Sequence, residues 1–212
     1  MGFTGELNYK LETGEAFSCT AMHYPRGKLG LSGATDFLAA IGGVNDVDVL
    51  ACYEKYLIEK NAWEKGQCMR VARERPGVCC YSDGTIYAFG GNASYENIES
   101  YAVERKSGQA DWVGLDVIFE VPIFNIAAMP YKNNILIFGG YLKQSKEIFT
   151  LMGEFKVKEG KFLEYLDVPY IPYHLSGGSF ITMGGEIFVA TYLREALRIS
   201  IFNGEYWRFF KR

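Results

Sequence analysis

The stretch Thr85-Ile86-Tyr87-Ala88-Phe89-Gly90-Gly91 joins an apolar, β-prone run to a glycine pair, and the chain carries the same device twice more. The other copies are Phe37 to Ile41 before Gly42-Gly43, and Ile135 to Phe138 before Gly139-Gly140. The second glycines stand at 43, 91 and 140, spacings of 48 and 49 residues. A fixed period of that size marks a repeat architecture, in which each unit buries its apolar surface against its neighbours.

Turn signals divide each period into four short strands. In the second repeat, Gly77 to Tyr81 is the first strand, Ser82-Asp83-Gly84 the turn and Thr85 to Phe89 the second strand. Asp-Gly between two β-prone runs is a strong hairpin signal. The third strand falls on Asn97 to Val103, and the fourth begins at Trp112-Val113. In the first repeat the strands fall near Gly30–Gly33, Phe37–Ile41, Glu54–Ile58 and Ala62–Glu64. The third repeat has the same order, with Phe162 where the other two place Trp63 and Trp112. The last repeat diverges: Ala190-Thr191 takes the place of the glycine pair, and Trp207 repeats the tryptophan. Before all of these, Leu7–Leu11 and Ala16–Cys19 read as a lone hairpin. The best helical rival is Asp48 to Lys65, but its alignment with the other repeats favours a loop and two strands.

With 212 residues and 49% hydrophobic content, the chain can bury a sizeable core. Charged residues at 22% exclude wholesale disorder. A net charge of −3 supplies no basic footprint for nucleic acid. No run approaches the roughly 18 apolar residues that a membrane helix requires, and the N-terminal stretch has no secretory h-region. The five cysteines, 19, 52, 68, 79 and 80, are odd in number and show no CxxC spacing. Cys79 and Cys80 fall on opposite faces of a strand, so all five are read as reduced thiols of a cytoplasmic protein.

The residues Gly42-Gly43, Tyr56 and Trp63, then Gly90-Gly91, Tyr101 and Trp112, then Gly139-Gly140, Phe155 and Phe162, resemble kelch repeats. Phe202 and Trp207 extend the likeness to the fourth repeat, and Tyr9 and Phe17 are taken as the matching aromatic pair of the opening hairpin. The resemblance implies an all-β, kelch-type β-propeller of four-stranded antiparallel blades in a single domain. It divides into a half blade at 1–22 and repeats at about 23–67, 68–116, 117–167 and 168–212. Four blades and a half make an incomplete ring, which a partner chain could complete.

The glycine pairs lack the strand–loop–helix setting and the GxxxxGK[ST] or GxGxxG spacing of phosphate cradles, so they are read as structural. His23 and His174 lie in connecting loops of distant repeats and are not read as metal ligands. No nucleophile elbow or acid–base pair stands out. The expectation is therefore a protein without catalytic, metal or cofactor residues. It would act as a protein–protein interaction scaffold in a larger cytoplasmic assembly, cytoskeletal and ciliary ones included. Its partner would be a protein or peptide, neither nucleic acid nor membrane. Candidate partner-binding residues are Arg26, Arg70, Arg73 and Arg75, which precede first strands, and Asn92, Tyr95, Tyr141 and Tyr192, which follow second strands. Arginine forks suit carboxylates, and tyrosines anchor interfaces. Two alternatives accompany this reading: a propeller-type enzyme acting on a small sugar acid, and the substrate receptor of a ubiquitin ligase.

Overall fold

The computed structural model of the chain describes residues 7–10, 15–91, 102–107, 111–118, 123–142, 152–164, 179–183, 186–193, 196–203 and 206–209. Among these there is no helix, and every sheet is antiparallel. The helical rival at 48–65 gives way to a loop and two strands.

Strands β1 (Leu7–Lys10) and β2 (Glu15–Ser18) form a hairpin with no third strand among the described residues. The first four-stranded sheet is β3 (Gly30–Gly33), β4 (Phe37–Ile41), β5 (Tyr53–Leu57) and β6 (Ala62–Lys65), in that order. The second is β7 (Gly77–Cys80), β8 (Ile86–Phe89), β9 (Ala102–Lys106) and β10 (Val113–Ile118). Next come β11 (Ile123–Phe124), β12 (Ala127–Tyr131), β13 (Asn134–Phe138), β14 (Tyr141–Leu142), β15 (Met152–Lys156) and β16 (Lys161–Glu164). The third sheet runs β12-β13-β15-β16, and β11 pairs with β14 in a separate two-stranded ladder. The fourth is β17 (Ser179–Met183), β18 (Glu186–Leu193), β19 (Ala196–Phe202) and β20 (Trp207–Phe209). The first strands of successive sheets are neighbours in chain order, β3 beside β7, β7 beside β12 and β12 beside β17. This all-β arrangement is compatible with the blades of a propeller.

The sheets are held face to face by side chains that alternate along each strand. Ala39 and Ile41 enter the core shared with Val78, Cys80, Ile86 and Ala88 of the next sheet. Ala40, between them, enters the core shared with Cys19 of the opening hairpin's exit. In the second sheet Cys79, Tyr87 and Phe89 turn the other way and pack on Ile123, Ile135, Ile137 and Phe155. Leu136 and Phe138 leave that core for the one containing Ile187, Val189, Phe202 and Trp207. Burial on both faces is why these strands read as continuous apolar runs. Cys79 and Cys80 do face different cores, as strand geometry requires.

Three of the aromatic pairs sit where the repeats place them, while Tyr101, the expected counterpart of Trp112, lies outside the described residues. Tyr56 is opposite Trp63, Phe155 opposite Phe162, and Phe202 opposite Trp207. The first pair, with ring centroids 5.2 Å apart, packs on Cys19 and Met22 of the segment after the hairpin, and the other two pack toward the preceding sheet, the last with centroids 5.1 Å apart. The opening hairpin departs from this pattern: Tyr9 is opposite Ala16, and Phe17 is opposite Asn8. Ala16 therefore occupies the tryptophan position there, one residue before the aromatic expected to fill it.

The glycine pairs are positions of close main-chain approach. Gly42 and Gly90 have φ of +63° and +55°, and a Cβ on either would stand 2.5 Å from the carbonyl oxygen of Arg73 or Ile123. Only a residue without a Cβ fits both demands. In the fourth sheet, where Ala190-Thr191 replaces the pair, β18 continues unbroken to Leu193.

Candidate functional site

The second and third sheets are each entered through a lead segment that is stitched to the sheet before it. Gly43 donates its N–H to Arg73 O and Gly91 to Ile123 O, both at 2.8 Å. Arg75 donates to Lys28 O at 2.8 Å, and Asn125 to Arg75 O at 3.0 Å. Lys28, Arg75 and Asn125 each precede a first strand by two residues and each has a positive φ, 53°, 52° and 58°. Trp63 Nε1 donates to Thr20 O and Trp112 Nε1 to Gln67 O, both at 3.0 Å.

Two of the expected partner-binding arginines belong to this stitching. Arg26 donates from Nη1 to Gly42 O at 3.0 Å and to Cys52 O at 2.9 Å, and from Nη2 to Glu54 Oε1 at 2.5 Å. Both side chains of the Arg26–Glu54 pair are wholly shielded from solvent. Glu54 also accepts the main-chain N–H groups of His23 and Tyr24, at 2.7 and 3.2 Å. Arg73, also wholly buried, donates from Nη1 to Gly90 O at 2.7 Å. Arg26 and Arg73, expected to reach a partner, are instead both buried, and each guanidinium group donates to main-chain carbonyl oxygen inside the protein. A buried charge is tolerable because it is paired and hydrogen-bonded.

The other candidates are dispersed. Arg70 is exposed and extends its Nη1 toward Gly114 of β10. Arg75 is half-buried in the lead segment. Tyr141 lies in β14, its backbone opposite Phe124. Tyr192 lies inside β18, opposite Leu197, where the sequence reading placed it after the second strand. Asn92 and Tyr95 lie outside the described residues, as does His174. His23 is exposed, its Nδ1 3.4 Å from Glu54 Oε2. Among the described residues, no group of three or more His, Cys, Asp or Glu is placed to hold a metal ion, and no helix is long and apolar enough to cross a membrane.

The concavity that the structure does bring together was not singled out in the sequence. A cleft of about 550 Å³ opens between the first sheet and the β7–β8 turn of the second. Its floor is Phe37, Tyr53 and Ile86, and Lys55, Lys65 and Asp83 stand at its walls. That volume is in the range of small-ligand and side-chain pockets, about 300–1,000 Å³. Lys55 Nζ stands 4.2 Å from the centroid of the Phe37 ring, and Lys65 Nζ 4.5 Å from that of Tyr24. Asp83 Oδ1 accepts the N–H of Thr85 at 2.8 Å and so fixes the turn. Burial pushes the Tyr53 phenol up to about 12, with Cys80 and Glu64 adding to the effect. The Asp83-Gly84 hairpin was the one visible signal. Its meeting with Lys55 depends on the packing of two sheets, which no local spacing encodes.

No protein-family model matches the sequence, and a search of curated proteins finds no significant similarity.

Proposed function

We propose that the chain is a partial kelch-type propeller that acts as a non-catalytic interaction scaffold, holding a protein or peptide partner at the cleft between its first two sheets. The observation that carries this reading is the cleft's construction. Its floor is aromatic and aliphatic, and its walls carry Lys55, Lys65, Glu64 and Asp83. An apolar centre with a charged rim is the anatomy of a protein-binding surface. The charged groups are each engaged with their own surroundings. Lys55 and Lys65 lie on aromatic rings, Asp83 on the Thr85 N–H, and Glu64 stands 3.8 Å from Lys60. Such groups do not converge on one reacting atom, which favours a scaffold over a sugar-acid enzyme. The regular spacing of the glycine and aromatic positions supports the kelch likeness.

Affinity capture of the native protein with mass spectrometry tests the reading. A reproducible protein partner that is lost from a Lys55→Glu, Lys65→Glu double variant is the expected result. Recovery of no reproducible partner, or undiminished capture by a folded double variant, would overturn it.

A further inference from the structure

Where β5 and β6 leave the first sheet, their pairing slips by one residue. Gly66 donates its N–H to Tyr53 O at 2.9 Å, and Met69 donates to Ala51 O at 2.9 Å. Between these bonds lies one residue on one chain, Cys52, and two on the other, Gln67 and Cys68. This is a β-bulge, which sets two residues opposite one. Opposite residues of a regular antiparallel pair have Cα atoms about 4.5–5.5 Å apart, inside the span of about 4.4–6.8 Å that a disulfide bridges, and the bulge sets Cys68 beside such a position.

The remaining thiols are placed differently. Cys79 and Cys80 face separate cores, and Cys19 is buried beneath the Tyr56 hydroxyl, which donates to its sulfur at 3.1 Å. Cys68 is exposed and Cys52 half-buried, and both are free thiols. Burial, the largest cause, pushes the Cys52 thiol up; Arg26 opposes this, and the nearby Cys68 adds to it.

The geometry points to Cys52 and Cys68 as a peroxide-responsive dithiol that closes to a disulfide. Exposure assigns the first step to Cys68. Its thiolate attacks one oxygen of hydrogen peroxide, the O–O bond breaks, and Cys68 becomes a sulfenic acid as hydroxide takes up a proton to leave as water. Cys52 gives up its proton and attacks the Cys68 sulfur. The S–O bond breaks, the S–S bond forms, and the departing hydroxide leaves as a second water. Two thiols are oxidised by two electrons and one peroxide is reduced to two waters. The staple would lock the chain at Gly66 and Gln67, which line the cleft, and Gln67 carries the carbonyl that receives the Trp112 indole. This inference stands independently of the partner proposed above.

The test treats the native full chain with hydrogen peroxide, denatures it in iodoacetamide, and maps it with trypsin and mass spectrometry. The expected product joins peptide 29–55 to peptide 66–70, lighter by two hydrogens than the two thiol peptides together, and dithiothreitol separates them. Alkylated cysteines fall from all five to three. In a Cys68→Ser variant, Cys52 remains alkylated after the same treatment. Five alkylated cysteines after peroxide would overturn the assignment. So would sulfinic acid at Cys68 beside an alkylated Cys52, a bridge to Cys79 or Cys80, or a covalent dimer on a non-reducing gel.

Discussion

Arg73 Nη1 lies 2.7 Å from the carbonyl oxygen of Gly90, and both residues are buried. Arg26 makes the corresponding bond to Gly42, so two repeats use the same arginine to close the same glycine corner. The third repeat has Ile123 in this place, two percent exposed and packed in the core between the second and third sheets. An interior position that accepts either an anchored guanidinium or an aliphatic chain is structural.

Glu54→Gln should therefore be costly. The His23 and Tyr24 N–H groups donate to different oxygens of Glu54, so the substitution keeps an acceptor for only one of them, and it leaves the Arg26 charge buried without its counter-charge. Breaking one side of a buried pair costs about 3–5 kcal/mol. Urea unfolding followed by tryptophan fluorescence should show a midpoint lowered accordingly. A Lys60→Gln control, at an exposed pair with Glu64, should shift it by less than about 1 kcal/mol.

The glycine corners should rank by what surrounds them. Gly90→Ala meets both a positive φ and the Ile123 carbonyl at 2.5 Å, whereas Gly84→Ala has a positive φ of +79° with nothing within 4 Å. The second change should cost only the left-handed backbone penalty, roughly 1–2 kcal/mol. The first should cost clearly more, because main chain must move. Equal losses in a denaturation series would contradict the close-approach account.

The three tryptophans should respond unequally to replacement by phenylalanine. Trp63 and Trp112 each donate to a main-chain carbonyl of the preceding connection. Their loss leaves a carbonyl without its donor, a cost of about 1–3 kcal/mol beyond the lost volume. Trp207 Nε1 is buried with no hydrogen-bond partner among the described residues. Trp207→Phe removes an unsatisfied donor along with the ring, so its measured destabilisation should be the smallest of the three.

Stability should fall on the alkaline side. Burial raises the thiols of Cys52, Cys79 and Cys80 above their ordinary value of 9.0, and the Tyr53 phenol from 10.0 to about 12. The unfolded chain releases these protons first, so it binds fewer protons than the folded chain in this window. Stability then decreases as pH rises. It should be full below about pH 9 and decline beyond it. Tyr53 should add roughly 2–3 kcal/mol of loss between pH 10 and 12. Tyr53→Phe should flatten that upper part of the profile in thermal melts recorded against pH, and an unchanged slope would refute the assignment.

Much of the strand order was legible because glycine and aromatic positions recur with the repeat. Gly30–Gly33 and Phe37–Ile41 are strands β3 and β4 as expected, and the Asp83-Gly84 turn follows from its sequence. The register of Tyr56 with Trp63 carried over to Phe155 and Phe162, but not to the opening hairpin, where the aromatic is displaced by one residue. The fate of the arginines was not legible. An Arg before a strand looks like solvated charge unless its acceptors are known, and those of Arg26 are the main-chain carbonyls of Tyr24, Gly42 and Cys52 together with Glu54. One signal was present: Met22 and Met69, Arg26 and Arg73, and Lys28 and Arg75 are each 47 residues apart. A charge that recurs in step with buried residues shares their internal frame. The cleft was hidden for another reason. Lys55 and Asp83 belong to different sheets, and their proximity is a product of packing.

The ladder through Lys28, Arg75 and Asn125 is made of main-chain atoms alone. Three unrelated side chains occupy its rungs, yet the left-handed φ varies only from 52° to 58°. The contact between successive lead segments is thus written in peptide geometry, and chemistry at these positions is left open. A designer could exchange the residue at each rung, or append another unit with its own surface, and keep the same main-chain bonds between neighbours. The ladder works as a ruler whose graduations do not depend on what is printed beside them.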